Sequence, residues 1–259
     1  MDYAIIGGDE RFAHLAGMLQ VRGLAVCTAW RNTVPGVPAA TADLLRGARR
    51  VITNVPGKVS LDELRAMTGP GAVFLTCGPC AAAGEDVIDL WADEDLQLEN
   101  AWLTAEGAIS AAMRASAQAL RGSRCLVIGW GRIGRALTEL LVGLGAGVVV
   151  ASRSEAHRNR AVQRGARAVA TGDIAGALPG ISLIFNTAPE LVLDGEKLAA
   201  ADPEAMIIDL ASPPYGIDLH AAWNRGLRAW REPGLPGRYC PESAARALLN
   251  AIDRRDSHV

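Results

Sequence analysis

Along this chain, apolar runs of four or five residues alternate with longer stretches whose apolar positions recur every three or four residues. The first pattern suits strands buried on both faces, and the second suits amphipathic helices. In the first hundred residues Asp2–Ile6, Leu24–Thr28, Val51–Asn54, Ala72–Thr76 and Leu96–Leu98 are predicted strands. Between them, Arg11–Arg22, Ala39–Leu45, Leu61–Met67 and Asp86–Trp91 are predicted helices. Such alternation implies a parallel sheet covered on both faces, and five strands fit a small flavodoxin-like layer.

The stretch Thr104–Leu120 lacks proline and is rich in helix formers. Thr104 is placed to cap it, Glu106 falls in its first turn, and Arg121-Gly122-Ser123 stops it. This helix is expected to link two halves of the molecule, because the alternation then restarts. Strands are predicted at Cys125–Ile128, Val148–Ala151, Leu183–Asn186, Met206–Asp209 and Arg228–Arg231, with helices at Ile133–Leu144, Glu155–Arg164 and Leu219–Asn224. A last helix, Glu242–Asp253, follows Pro233-Gly234-Leu235-Pro236-Gly237 and is expected to return to the first domain. The expected fold is therefore α/β, with two doubly wound parallel-sheet domains, the first flavodoxin-like and the second Rossmann-like. The expected boundaries are 1–100 plus a returning helix at 241–255, a linking helix at 101–120, and a nucleotide-binding domain at 121–240.

The restart carries the clearest chemistry. Gly129-Trp130-Gly131-Arg132-Ile133-Gly134 is a GxGxxG pattern at a strand-to-helix junction, with a second strand one βαβ unit later. Gly129 permits the tight turn, Gly131 lets the backbone approach a pyrophosphate, and Gly134 lets helix pack closely on strand. Free amides at the helix start, around Arg132 and Ile133, would hold the phosphates. At the end of the second strand an NAD site would carry an acid, but the positions read Ser152-Arg153-Ser154. An arginine flanked by hydroxyls suits a 2′-phosphate, so NADP is the expected cofactor and NAD the alternative. Two later strand ends, Asn186-Thr187-Ala188-Pro189 and Asp209-Leu210-Ala211-Ser212, offer small polar groups toward the same crevice. Asn186, Thr187, Pro189 and Asp209 are accordingly candidate cofactor contacts, against the alternative of ordinary turn chemistry.

Composition narrows the field. The 259 residues are half hydrophobic, with a formal net charge of -2 and a pI near 6.1, which argues against nucleic acid or an anionic membrane as partner. No run of about 18 apolar residues is present. The N-terminus reads as a first strand and not as a secretory signal. Five cysteines at irregular spacing fit a cytoplasmic protein.

Other groups test further chemistries. His14, His157, His220 and His258 fall on predicted helices or the tail and away from strand ends, which counts against a 2-hydroxy-acid dehydrogenase needing a base for its O–H proton. Cys77-Gly78-Pro79-Cys80 has the spacing of a redox motif but lacks the aromatic residue before it. Zinc would need a second Cys/His pair, so no metal is expected. Glu106 is the candidate catalytic carboxylate. Arg11, just after Gly7-Gly8-Asp9, is a candidate for binding a substrate carboxylate.

These residues together resemble the A-subunit family of dipicolinate synthase. The likeness runs through Ile6-Gly7-Gly8-Asp9 with Arg11, Asn100 with Thr104, Glu106 and Gly107, the GxGxxG segment, Ala151-Ser152-Arg153-Ser154, the two later strand ends and Pro233-Gly234-Leu235-Pro236-Gly237. The resemblance implies two doubly wound domains, a nicotinamide cofactor and oxidation of dihydrodipicolinate to the aromatic pyridine-2,6-dicarboxylate during sporulation. It also implies a partner, the flavoprotein-like B subunit of such enzymes, and a homo-oligomer is compatible with it. Gly8, Arg11, Thr104, Gly107, Pro233 and Gly234 are the candidate substrate-side residues. The chain departs from the family between Pro56 and Gly71, where a longer loop is expected. That leaves open an enzyme of another small acid. A nucleotide-binding subunit that is not itself catalytic and a thiol–disulfide oxidoreductase are the further alternatives.

Overall fold

The computed structural model describes residues 1–29, 34–54, 59–78 and 84–256. In chain order the first elements are β1 (Tyr3–Ile6), α1 (Glu10–Val21), β2 (Val26–Ala29), α2 (Ala42–Arg46), β3 (Arg50–Thr53), α3 (Leu61–Met67), β4 (Val73–Thr76), β5 (Val87–Asp89) and α4 (Glu94–Ala115). Next come β6 (Arg124–Ile128), α5 (Arg132–Gly143), β7 (Gly147–Ala151), α6 (Glu155–Gln163), β8 (Arg167–Val169), α7 (Ile174–Ala177), β9 (Leu183–Asn186) and α8 (Gly195–Leu198). The series ends with β10 (Met206–Asp209), α9 (Leu219–Asn224), β11 (Arg228–Arg231), α10 (Leu235–Tyr239) and α11 (Pro241–Asp256). Two compact units result, Met1–Asn100 with Pro236–Val259 and Ala101–Leu235.

The first unit is built on a parallel sheet of order β2-β1-β3-β4-β5, the flavodoxin-like order. All four residues of β1 are buried, as a strand covered on both faces requires. Asp9 caps α1 through Arg11 N, and the apolar face of that helix (Phe12, Leu15, Ala16, Leu19) packs with Ala245, Leu248, Leu249 and Ile252 of α11. Charge pairs hold α11 in place, with Arg22 on Asp253 at 2.6 Å and Arg254 on Asp93 at 2.9 Å. The last helix is thus part of the first unit's core.

The second unit holds a parallel sheet of order β11-β10-β9-β6-β7-β8. Strand β6 lies between β9 and β7, so the connections reverse there and leave a crevice at the carboxyl ends of β6 and β9. Strands β9 and β10 are buried along their whole length. Among the described residues, no helix is long and apolar enough to cross a membrane.

Several expected elements differ. Leu96–Leu98 is not a strand: Asp93 Oδ1 accepts from Leu96 N at 2.9 Å, and the helix so started runs 22 residues to Ala115. Thr104 and Glu106 therefore stand in mid-helix, where neither can act at an N-terminus. The fifth strand is Val87–Asp89, inside the stretch expected to be a helix, and it pairs with β4 at the sheet edge. Strand β8 and the short helices α7, α8 and α10 had no counterpart in the pattern. Short elements with two or three apolar positions carry too few repeats of either period to be read.

Candidate functional site

The glycine-rich turn joins β6 to α5. Gly129 has φ +100°, a conformation that favours glycine, and a Cβ there would press on Thr187. A Cβ on Gly134 would run into the Gly129 carbonyl, so helix and strand touch backbone to backbone. A Cβ on Gly131 would meet nothing within 4 Å. Two of the glycines are therefore required by the protein's own packing, whereas the third leaves open space. Gly131 is also the N-cap of α5 and, among the described residues, no side-chain cap hydrogen bond is made there; a helix N-terminus of this kind suits an anion. A pyrophosphate fits this cradle. Arg132 and Gly131 are exposed and Ile133 is half-buried at its edge.

Beside the cradle runs a cleft of about 380 Å³ lined by Gly129, Trp130, Gly131, Ser152, Arg153, Ser154, His157, Thr171 and residues 187–190. The structure thus brings together three of the four segments that the sequence proposes for the dinucleotide, and Asp209-Leu210-Ala211-Ser212 does not line this cleft. Ser154 Oγ accepts from His157 N and caps α6, and Ser152 is buried. Arg158 Nη1 donates to the carbonyls of Ser152 and Arg153, each at 2.8 Å, and so ties the helix to the loop before it. The Arg153 side chain is 74% exposed and donates to Glu190 Oε2 at 2.9 Å. His157, Thr171 and Glu190 are not among the expected cofactor contacts. Each comes from a different element, and only the folded sheet places them on one cleft.

Asn186 and Asp209, two of the expected cofactor contacts, are held in a local hydrogen-bond network. Both are buried, and Asn186 Nδ2 donates to Asp209 Oδ1 at 2.7 Å and to the Ala188 carbonyl at 3.0 Å. Asp209 also accepts from Ala211 N at 3.2 Å and Gly216 N at 3.3 Å. Their polar atoms hold the two loops that leave β9 and β10, and so shape the crevice wall. Thr187 is similarly engaged, its Oγ1 donating to the Ile128 carbonyl at 2.8 Å. Pro189 lines the cleft. The indole N–H of Trp130 is buried and has no partner among the described residues.

Glu106 does not line this cleft. It lies exposed in a shallow depression of about 490 Å³ with Ile109, Ser110, Met113, Arg114, Leu140 and Leu144. Gly107 has a packing role, since a Cβ there would meet Leu235 at 2.9 Å. Thr104 is buried in the body of α4. Pro233 and Gly234 form the turn after β11, with Gly234 at φ +67°.

In the first unit, Arg11 Nε and Nη2 donate to the two oxygens of Asp9 at 2.7 and 2.8 Å. The guanidinium expected to meet a substrate carboxylate is therefore already oriented by one, and Nη1 is the nitrogen not committed to Asp9. Gly8 stands against the Phe12 ring, with no room for a side chain. Cys77 is buried, and burial pushes its thiol up to about 12, the opposite of a redox-active thiolate. Cys80 lies outside the described residues. Among the described residues no group of three or more His, Cys, Asp or Glu could hold a metal ion.

Comparison with known proteins agrees with this fold. Residues 87–213 match the family model of the D-isomer specific 2-hydroxyacid dehydrogenase, NAD binding domain, so a nicotinamide cofactor belongs to this fold unit. Over 174 residues the chain is 32% identical to the dipicolinate synthase A subunit of Bacillus subtilis (strain 168), a match that covers 67% of this chain and 59% of that protein. The match thus spans less than two thirds of the curated relative. The crystal structure of the dipicolinate synthase A subunit from Bacillus halodurans superposes with a TM-score of 0.84 at 24% identity, covering 98% of this chain and 96% of that one. The crystal structure of its Bacillus subtilis counterpart gives 0.81 at 24% identity, covering 100% and 96%. At these identities the structural likeness bears on the fold alone.

Proposed function

We propose that this chain, which is related to the A-subunit family of dipicolinate synthase, is an NADP-preferring dehydrogenase that oxidises dihydrodipicolinate to pyridine-2,6-dicarboxylate. The observation that carries the cofactor half is Arg153 on the rim of a dinucleotide cleft whose β7 end has no acid. A 2′-phosphate would pair with that guanidinium, and the Ser152 and Ser154 loop, tied by Arg158, would keep it in place. The α5 amides would receive the pyrophosphate.

When bound, the nicotinamide would accept a hydride from a ring carbon of the substrate. The chain's own residues have the remaining tasks. Arg11, held by Asp9, would pair a substrate carboxylate through Nη1. Because the bond oxidised is C–H and not O–H, no histidine has to be positioned to take a hydroxyl proton. The scarcity of histidine supports this reading over oxidation of a 2-hydroxy acid. Glu106, exposed on an apolar helix face, is not needed as proton acceptor, and water would take that proton. A B subunit of the kind the family uses, a cytoplasmic setting and self-association belong to the same proposal.

Purified chain supplied with freshly generated dihydrodipicolinate and NADP tests it. NADPH should accumulate together with the absorbance of a pyridine dicarboxylate. A chain that binds NADP but forms neither product, with or without the partner protein, would show that it is not the dehydrogenase.

A further inference from the structure

The carboxylate of Glu190 bears on cofactor choice, and no sequence motif marks it. It follows β9, after Thr187-Ala188-Pro189, and reaches the end of β7 to meet Arg153 Nη1 at 2.9 Å. Both residues line the same cleft, with side-chain exposures of 74% for Arg153 and 43% for Glu190. An ion pair this exposed is held weakly and exchanges readily. A phosphate dianion offers the same guanidinium more acceptor oxygens and more charge. The backbone beneath Arg153 is pinned by Arg158, so only side chains have to move for the exchange.

We infer that Glu190 is a specificity-determining residue that restrains the preference for NADP, an inference resting on the proposed pairing of Arg153 with a 2′-phosphate. A phosphate at Arg153 displaces Glu190 from its partner and then lies within a few ångströms of a like charge. The phosphate-free cofactor asks for neither change, because the Arg153–Glu190 pair can stay closed while it binds. The like charge that opposes a 2′-phosphate thus comes from the loop after β9 and not from the end of β7.

The test is binding to the full-length chain at low salt, titrating NADP and NAD separately by calorimetry. Glu190→Gln should tighten NADP about 3–10-fold, the size expected for removing one like charge at partly solvated range, and leave NAD within about twofold. Raising the salt should shrink the difference between Glu190→Gln and the parent. An unchanged NADP-to-NAD ratio in Glu190→Gln would overturn the inference. Arg153→Ala keeps the two layers apart. If it weakens NADP selectively while Glu190→Gln changes nothing, only the role of Glu190 falls. If it weakens both cofactors equally, the NADP reading falls and the inference with it. Both residues are exposed, so an unchanged thermal melt verifies that each variant folds.

Discussion

The Asn186 amide and the Asp209 carboxylate meet at 2.7 Å at the carboxyl ends of adjacent strands, both out of reach of solvent. One carboxylate there accepts from three donors on β9 and on the loop after β10. Asp209→Ala leaves those donors buried and unpaired and should cost about 2–4 kcal/mol. Asp209→Asn keeps the shape but turns an NH₂ toward a donor, so it should cost nearly as much. Thermal melts followed by circular dichroism check both, and an Asp209→Asn protein as stable as the parent would refute the role.

Two glycines of the cradle should separate folding from binding. Gly131→Ala meets no protein atom within 4 Å and should melt like the parent, yet bind either dinucleotide at least tenfold more weakly. Gly134→Ala forces a methyl group into the Gly129 carbonyl and should lose about 1–3 kcal/mol of stability. Calorimetric titration and melts on the two variants decide it.

Cys77 should be inert at neutral pH. With its thiol pushed up to about 12, roughly one molecule in 10⁴ carries the thiolate at pH 8. Cys240 is half-buried and should be alkylated well before Cys77. Peptide mapping after brief treatment with iodoacetamide reads the order. Rapid labelling of Cys77 would contradict its burial and reopen the redox alternative.

The first unit should weaken in acid. The hydrogen bonds from Arg254 to Asp93 hold that carboxyl below its ordinary value. Its folded pKa is depressed, so its contribution is complete above the unfolded value near 3.9. The contribution is then lost as pH falls through the lower folded value. Asp93→Asn keeps an N-cap for α4 but loses the charge. That variant should melt a few degrees lower at pH 7, and its melting temperature should fall less steeply between about pH 4 and pH 2.

Much of this molecule is legible in its sequence, and the limits have physical causes. Buried parallel strands such as Leu183–Asn186 and Met206–Asp209 announce themselves, because covering both faces makes every residue apolar until the polar strand end. The GxGxxG turn is legible because its spacing is fixed, with Gly129 and Gly134 each answering to a steric demand of the protein's own packing. Leu96–Leu98 misleads because two leucines around Gln97 fit either period, and Asp93, the residue that decides, reads as an ordinary loop acid. Glu190, His157 and Thr171 leave no local trace, since only strand order places them on one cleft. Asn186 and Asp209 are visible as polar strand ends, but whether such ends face a ligand or each other depends on the loops that fold over them.

The seat of α11 against α1 gives the first unit a timetable. Its core needs Ala245, Leu248, Leu249 and Ile252, residues that leave the ribosome after the whole of the second unit. The amino-terminal sheet is therefore made early but must wait with one face uncovered, whereas the dinucleotide-binding sheet has all its strands in hand sooner. The usual amino-to-carboxyl order of domain folding during synthesis should therefore be inverted here. A premature stop near Cys240 would leave the second unit's strands intact and deprive the other unit of its closing helix.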